Sequence, residues 1–155
     1  MKKIDLGQLV GLIANLAVLI GILLLVVELR QNQITVQAQA RAAVAQGFNE
    51  HVYHVTADPE ISSLWRRGGD GEELTPDERS RWTLLVVAMF RYYENVHYQY
   101  RQGLYSEDEF RGQREAWRNV VFRAVGVRGQ FCRSKLQFST EFVAEIEALL
   151  PEPCE

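Results

Sequence analysis

The run from Leu9 to Val27 limits most strongly what this chain can fold into. Nineteen consecutive residues carry no charge and one polar side chain, Asn15. As a helix rising about 1.5 Å per residue, such a run matches the roughly 30 Å hydrocarbon core of a bilayer. Burying it in a soluble core would need a larger partner domain than a 155-residue chain provides. The run therefore reads as one membrane span. Met1-Lys2-Lys3 ahead of it also resembles the opening of a secretory signal. The apolar run, however, exceeds the roughly 7–15 residues of a signal core, and no small-x-small cleavage site directly follows it. The next residues, Glu28-Leu29-Arg30-Gln31-Asn32-Gln33, read as a helix leaving the membrane, so a retained anchor is expected.

Orientation is nearly balanced. Lys2 and Lys3 precede the span, while Arg30 and the more distant Arg41 lie beyond it. Lys and Arg near the span ends favour the cytoplasmic side. The lean is toward a cytoplasmic N-terminus, by a margin of about one charge, which leaves the side of the remaining domain open.

The rest of the chain has the length of one small domain. The net charge is −3, with Asp and Glu interleaved among the arginines, so no nucleic-acid surface is expected. Cys132 and Cys154 have neither CxxC spacing nor a neighbouring histidine. They read as two unrelated thiols, Cys154 in a frayed tail, although a domain outside the cytoplasm would allow them to pair.

No useful β-alternation occurs, and the long segments carry helical period and punctuation. The expected fold is all-α: a transmembrane anchor over 1–30, a helical stalk over 31–57 continuous with it, and a bundle over 58–155 packing on the stalk. Ile34, Ala38, Ala42, Ala45, Phe48, Val52 and Val55 recur at spacings of three and four, predicting the packing stripe of the stalk. Asp58-Pro59-Glu60 opens a second helix that should stop at Gly68-Gly69, and Gly68-Gly69-Asp70-Gly71 reads as a turn, not a phosphate loop. Thr75 with Glu78, and Ser106 with Glu109, are capping boxes for a third and a fourth helix. Val125-Gly126 should break the fourth, a short helix should run from about Arg128 to Lys135, and Ser139 should cap the last, before Pro151.

The third helix should be central. Thr83 to Phe90 is apolar nearly all round and too short to span a bilayer. Trp82, Leu85, Met89, Val96 and Tyr100 share one face; Leu84, Val87, Arg91 and Tyr98 share the opposite one, with Glu94 beside them. If that second face is covered, Arg91 and Glu94 should pair with each other or with nearby polar groups, because an unpaired buried charge is costly.

Leu29-Arg30-Gln31-Asn32 at the end of the span, the Asp58-Pro59-Glu60 helix start and the stretch Arg91-Tyr92-Tyr93-Glu94-Asn95-Val96-His97-Tyr98-Gln99-Tyr100-Arg101-Gln102-Gly103-Leu104 together resemble an uncharacterised family of bacterial single-span membrane proteins with a small C-terminal helical domain. The resemblance implies a fold and a bacterial inner-membrane address, and it lends no activity. His97 stands where an aromatic is more usual in that pattern.

The span carries the first candidate site. Gly7-x-x-x-Gly11 is a spacing that lets transmembrane helices approach closely, and Gly7, Ala14 and Gly21 recur every seven residues with Val10, Ala17 and Leu24 between them. Asn15 adds a polar group that favours an interhelical hydrogen bond. Gly7, Gly11, Ala14, Asn15, Ala17 and Gly21 are the expected interface of a homo-oligomer in membrane lipid. Glu94-x-x-His97 has the spacing found in di-iron bundles, but those need a second such pair and further carboxylates. His51, His54, Glu94 and His97 are low-ranking metal candidates, and no metal or other cofactor is expected. Arg91, Glu94 and Tyr98 are candidates for a ligand site or a buried ion pair. The aromatics from Trp82 to Trp117 are expected to be core. With no nucleophile, phosphate-loop or dinucleotide pattern, the leading expectation is a non-catalytic scaffold or accessory subunit, open to an unidentified membrane-protein partner. The alternative is a membrane-tethered sensor or enzyme with a metal or small-molecule site around Arg91, Glu94 and His97.

Overall fold

A computed structural model describes residues 6–154, apart from the side chains of residues 121 and 122. It is 86% helical, with no strand among the described residues. The elements are α1 Leu6–Ala57, α2 Pro59–Asp70, α3 Pro76–Arg101, α4 Glu107–Arg123, α5 Val125–Ser134, a 3-10 turn Lys135–Gln137, and α6 Thr140–Glu147. The chain divides into two compact units, with the boundary inside α1 between Gln39 and Ala40.

The described residues of the first unit are helix alone. Every described side chain from Leu6 to Val36 is exposed. The helix is long and apolar enough to cross a membrane. Lys2 and Lys3 lie outside the described residues.

The second unit is a bundle organised around α3, which packs against α2, α4, α5 and α6. Val86, Phe90 and Val96 of α3 are fully buried with Trp117 of α4, Phe131 of α5 and Phe142 of α6. Aromatic contacts thread this core: Tyr93 stacks on Trp117 with centroids 4.9 Å apart, and Phe90 meets Phe131 at 5.0 Å. The expected first face of α3 is covered, whereas Leu84 (70% exposed) and Tyr98 (59%) of the opposite face look outward. The reason is local: α6 and the segment before it cover only the part of that face around Arg91 and Glu94.

Both capping boxes form. The Glu78 amide donates to Thr75 Oγ1 and the Thr75 amide to Glu78 Oε2; Ser106 and Glu109 repeat the arrangement. Each box glutamate has a second role. Glu78 receives Arg67 from α2, and Glu109 receives Arg41 from α1, the latter at 2.7 Å. Two helix starts are thus also interhelical ties.

Four expectations need correction. The stalk face that packs on the bundle is Ala40, Val44, Gly47, His51 and Val55, not the stripe predicted from Ile34. Of that stripe only Val55 is buried; Ala42, Ala45, Phe48 and Val52 are exposed. Alanine-rich helices offer small residues on every side, so periodicity could not select the face. Next, α2 does not stop at Gly68-Gly69; it runs to Asp70 and is ended by Gly71 at φ 78°. Gly68 and Gly69 are buried inside it as contact points. The break after α4 is Ala124, in extended conformation, so Val125-Gly126 already belongs to α5. Finally, Cys132 and Cys154 are bonded, with Cα atoms 5.4 Å apart across a separation of 22 residues. Buried Leu149 and half-buried Leu150 fix the segment after α6, so the tail is not frayed.

Candidate functional site

In the first unit the candidate interface residues Gly7, Gly11, Ala14, Asn15, Ala17 and Gly21 are all exposed. A Cβ added at Gly11 or Gly21 would meet nothing within 4 Å. Glycine inside a helix costs about 0.5–1 kcal/mol relative to alanine, and no contact among the described residues requires it at these two positions. The Asn15 side chain makes no hydrogen bond among the described residues.

In the second unit Arg91 and Glu94 pair, although Arg91 is exposed and the pair is not the buried one that the sequence made conditional on a covered face. Arg91 Nη1 donates to Glu94 Oε2 at 2.6 Å, and Arg91 Nη2 donates to the Gln137 carbonyl at 2.7 Å. Its guanidinium also lies over the Phe138 ring, 4.8 Å from the centroid. The other Glu94 oxygen accepts the Ser139 amide at 2.6 Å. Ser139 caps α6 without a side-chain hydrogen bond, so Glu94, from 45 residues away, supplies the acceptor that the helix start needs. Burial pushes the Glu94 carboxyl up, but the Ser139 amide and Arg91 together bring it below its ordinary range. These atoms hold α6 on α3. Tyr98 is not part of the node.

His97 is buried between Phe110 (centroids 5.8 Å apart) and Phe142 (5.9 Å). It occupies an aromatic slot, and burial lowers its pKa. His51 lies instead on α1 with its ring edge against Trp65, 5.4 Å between centroids; burial and neighbouring His54 lower its pKa. Among the described residues no group of three or more His, Cys, Asp or Glu side chains is placed to hold a metal ion.

The sequence did not announce the open cleft of about 630 Å³ between the C-terminal part of α1, the start of α2 and the middle of α3. Ile61, Leu64 and Leu85 form apolar wall, with Glu50, His51 and Arg81 as polar lining. Tyr92 closes one side, its hydroxyl pKa pushed up to about 12 by burial and by Tyr105. The walls come from positions 47 to 92, which no local pattern connects.

No family model, curated protein or solved structure matches this chain.

Proposed function

We propose that this chain is a single-span protein of the bacterial inner membrane that self-associates through its first helix and acts without catalysis, as a scaffold or accessory subunit of a membrane assembly. The observation that carries the reading is the state of the first unit. Its apolar run is uncovered throughout, and Gly11 and Gly21 within it have no packing role among the described residues. A bilayer supplies the missing apolar surroundings. A second helix supplies the missing neighbour, because small residues allow the backbone approach that drives association in lipid. Asn15 would then find its hydrogen bond across the interface.

The bundle supports a binding or structural role in preference to a catalytic one. The charged pair that most invited a chemical reading, Arg91 and Glu94, is engaged with Gln137 and Ser139. Two measurements test the proposal. Resistance to alkaline carbonate extraction tests the span. The protein mass in detergent, measured by light scattering and corrected for bound detergent, tests association: a discrete multiple of 17.8 kDa is expected, and a monomer overturns that part of the reading.

A further inference from the structure

We infer that Cys132 and Cys154 form a site of oxidative modification, closed by thiol–disulfide exchange with an extracytoplasmic oxidant that carries a disulfide, and that the helical domain therefore lies on the oxidising face of the membrane with the N-terminus in the cytoplasm. The inference rests on the membrane reading above and adds the side to it.

The two residues are the only cysteines of the chain, and they are bonded to each other. Cys132 lies near the end of α5 and Cys154 in the segment after α6; both are half-buried against the core. The pairing is prepared by packing. Leu149 is sunk in the core and Leu150 packs against it, so the tail is already laid beside α5. Pro151 and Pro153 narrow the conformations of the residues between Leu150 and Cys154. A fold that holds its only two thiols at bonding distance gains from oxidation, because the closed loop restricts the unfolded chain. In the cytoplasm glutathione and thioredoxin keep such thiols reduced; on the extracytoplasmic face disulfides form and persist.

Closure balances as a two-electron exchange. One protein thiolate attacks the oxidant's disulfide; that S–S bond breaks, a mixed disulfide forms, and one oxidant thiol leaves. The second protein thiolate attacks the mixed disulfide and expels the other. The chain loses two protons and two electrons, and the oxidant's disulfide becomes a dithiol. An open hollow of about 520 Å³ beside the pair, lined by Val125, Arg128, Gly129 and Pro151, leaves room for the oxidant to approach. The charge pattern points the same way. Lys2 and Lys3 stand on one side of the span and Arg30 close on the other, which favours a cytoplasmic N-terminus.

The test uses the full chain in bacterial cells quenched with acid. Polyethylene-glycol maleimide applied under denaturing conditions should add nothing before reduction and two increments after it. Two increments without reductant, in protein that stays in the membrane after a carbonate wash, would overturn the inference. Release by that wash would instead overturn the membrane reading, whatever the thiol state. For the side, L136C is placed in a C132S/C154S background, since Leu136 is 95% exposed. A membrane-impermeant maleimide should label it in intact spheroplasts; labelling only after lysis would overturn the assignment. If the cysteine-free variant does not accumulate, the alkylation of the wild-type chain still decides.

Discussion

Gly126 of α5 rests directly on the backbone of Gly68 in α2: a Cβ on Gly126 would lie 1.7 Å from the Gly68 carbonyl oxygen. Gly68 is crowded on its own account, since a Cβ there would come 2.4 Å from Trp82 Cδ2. Three helices therefore meet at two glycines, and Trp82, Trp65 and His51 continue the contact toward α1.

The first prediction comes from that contact. Overpacking a filled core costs about 1–3 kcal/mol. Gly68→Ala should fall in that range, and Gly126→Ala at its upper end or beyond, because the obstacle is backbone and cannot rotate away. Gly112→Ala, in α4 with nothing within 4 Å of the new Cβ, should stabilise by about 0.5–1 kcal/mol. Urea unfolding of the detergent-solubilised chain reads all three, and a neutral Gly126→Ala would refute the packing argument.

The proposed self-association gives the second. Gly11→Leu or Gly21→Leu should lower the mass of the particle in detergent, because a leucine holds the two helix backbones apart. Ile22→Leu, one position off the seven-residue repeat, should leave it unchanged. If both glycine variants keep the wild-type mass, the interface is not where the repeat places it.

The disulfide gives the third. Closing a loop of this separation stabilises a fold by about 3 kcal/mol in the chain-entropy description. Cys154→Ser, or reduction of the wild-type chain, should lower the unfolding midpoint correspondingly. The helical signal should survive, because Leu149 and the α3 core do not depend on the bond. An unchanged midpoint on reduction would mean that the bond adds nothing to folding.

Acid should weaken the bundle in a defined window. Arg67 and the Thr75 amide hold the Glu78 carboxyl at about 2, and the Ser106 amide and hydroxyl, with Arg41, hold Glu109 at about 2. A carboxylate whose pKa is lower folded than unfolded contributes stability above its unfolded value and loses it as pH falls through the folded one. The loss from these two should therefore begin near pH 4.5 and continue toward pH 2. His97, whose pKa burial lowers, adds an earlier decline as pH falls below 6.5. In carbon-detected NMR titrations, Arg67→Gln should move the Glu78 midpoint upward and leave Glu109 in place. Parallel movement of both would disprove independent ties.

The remote cap of α6 is tested by Glu94→Ala. It removes the acceptor for both the Ser139 amide and Arg91, so a loss of about 1–3 kcal/mol is expected. Glu94→Gln keeps an oxygen for the amide and should recover part of that loss. Equal losses for the two variants would show that only the charge matters.

The long apolar first helix, the helical content and the helix starts were legible in the chain before any folding. Nineteen uncharged residues in a row make a helix long and apolar enough to cross a membrane, and Thr75-Glu78 and Ser106-Glu109 act within one turn of chain, so they need no distant partner. The pairing of Arg91 with Glu94 was legible for the same reason, three residues being about one turn apart. Packing in three dimensions settled the rest. Which face of residues 40–57 is covered could not be read where alanines lie on every side. Gly68, Gly69 and Gly126 look like turn residues in sequence and serve as contact points in space, because a missing Cβ permits both. The bond between Cys132 and Cys154, the reach of Glu94 to Ser139 and the cleft lined by His51 and Tyr92 join residues 22 to 45 positions apart. Spacing carries no signal over such distances; burial of Trp117, Phe131 and Phe142 against α3 brings those partners together.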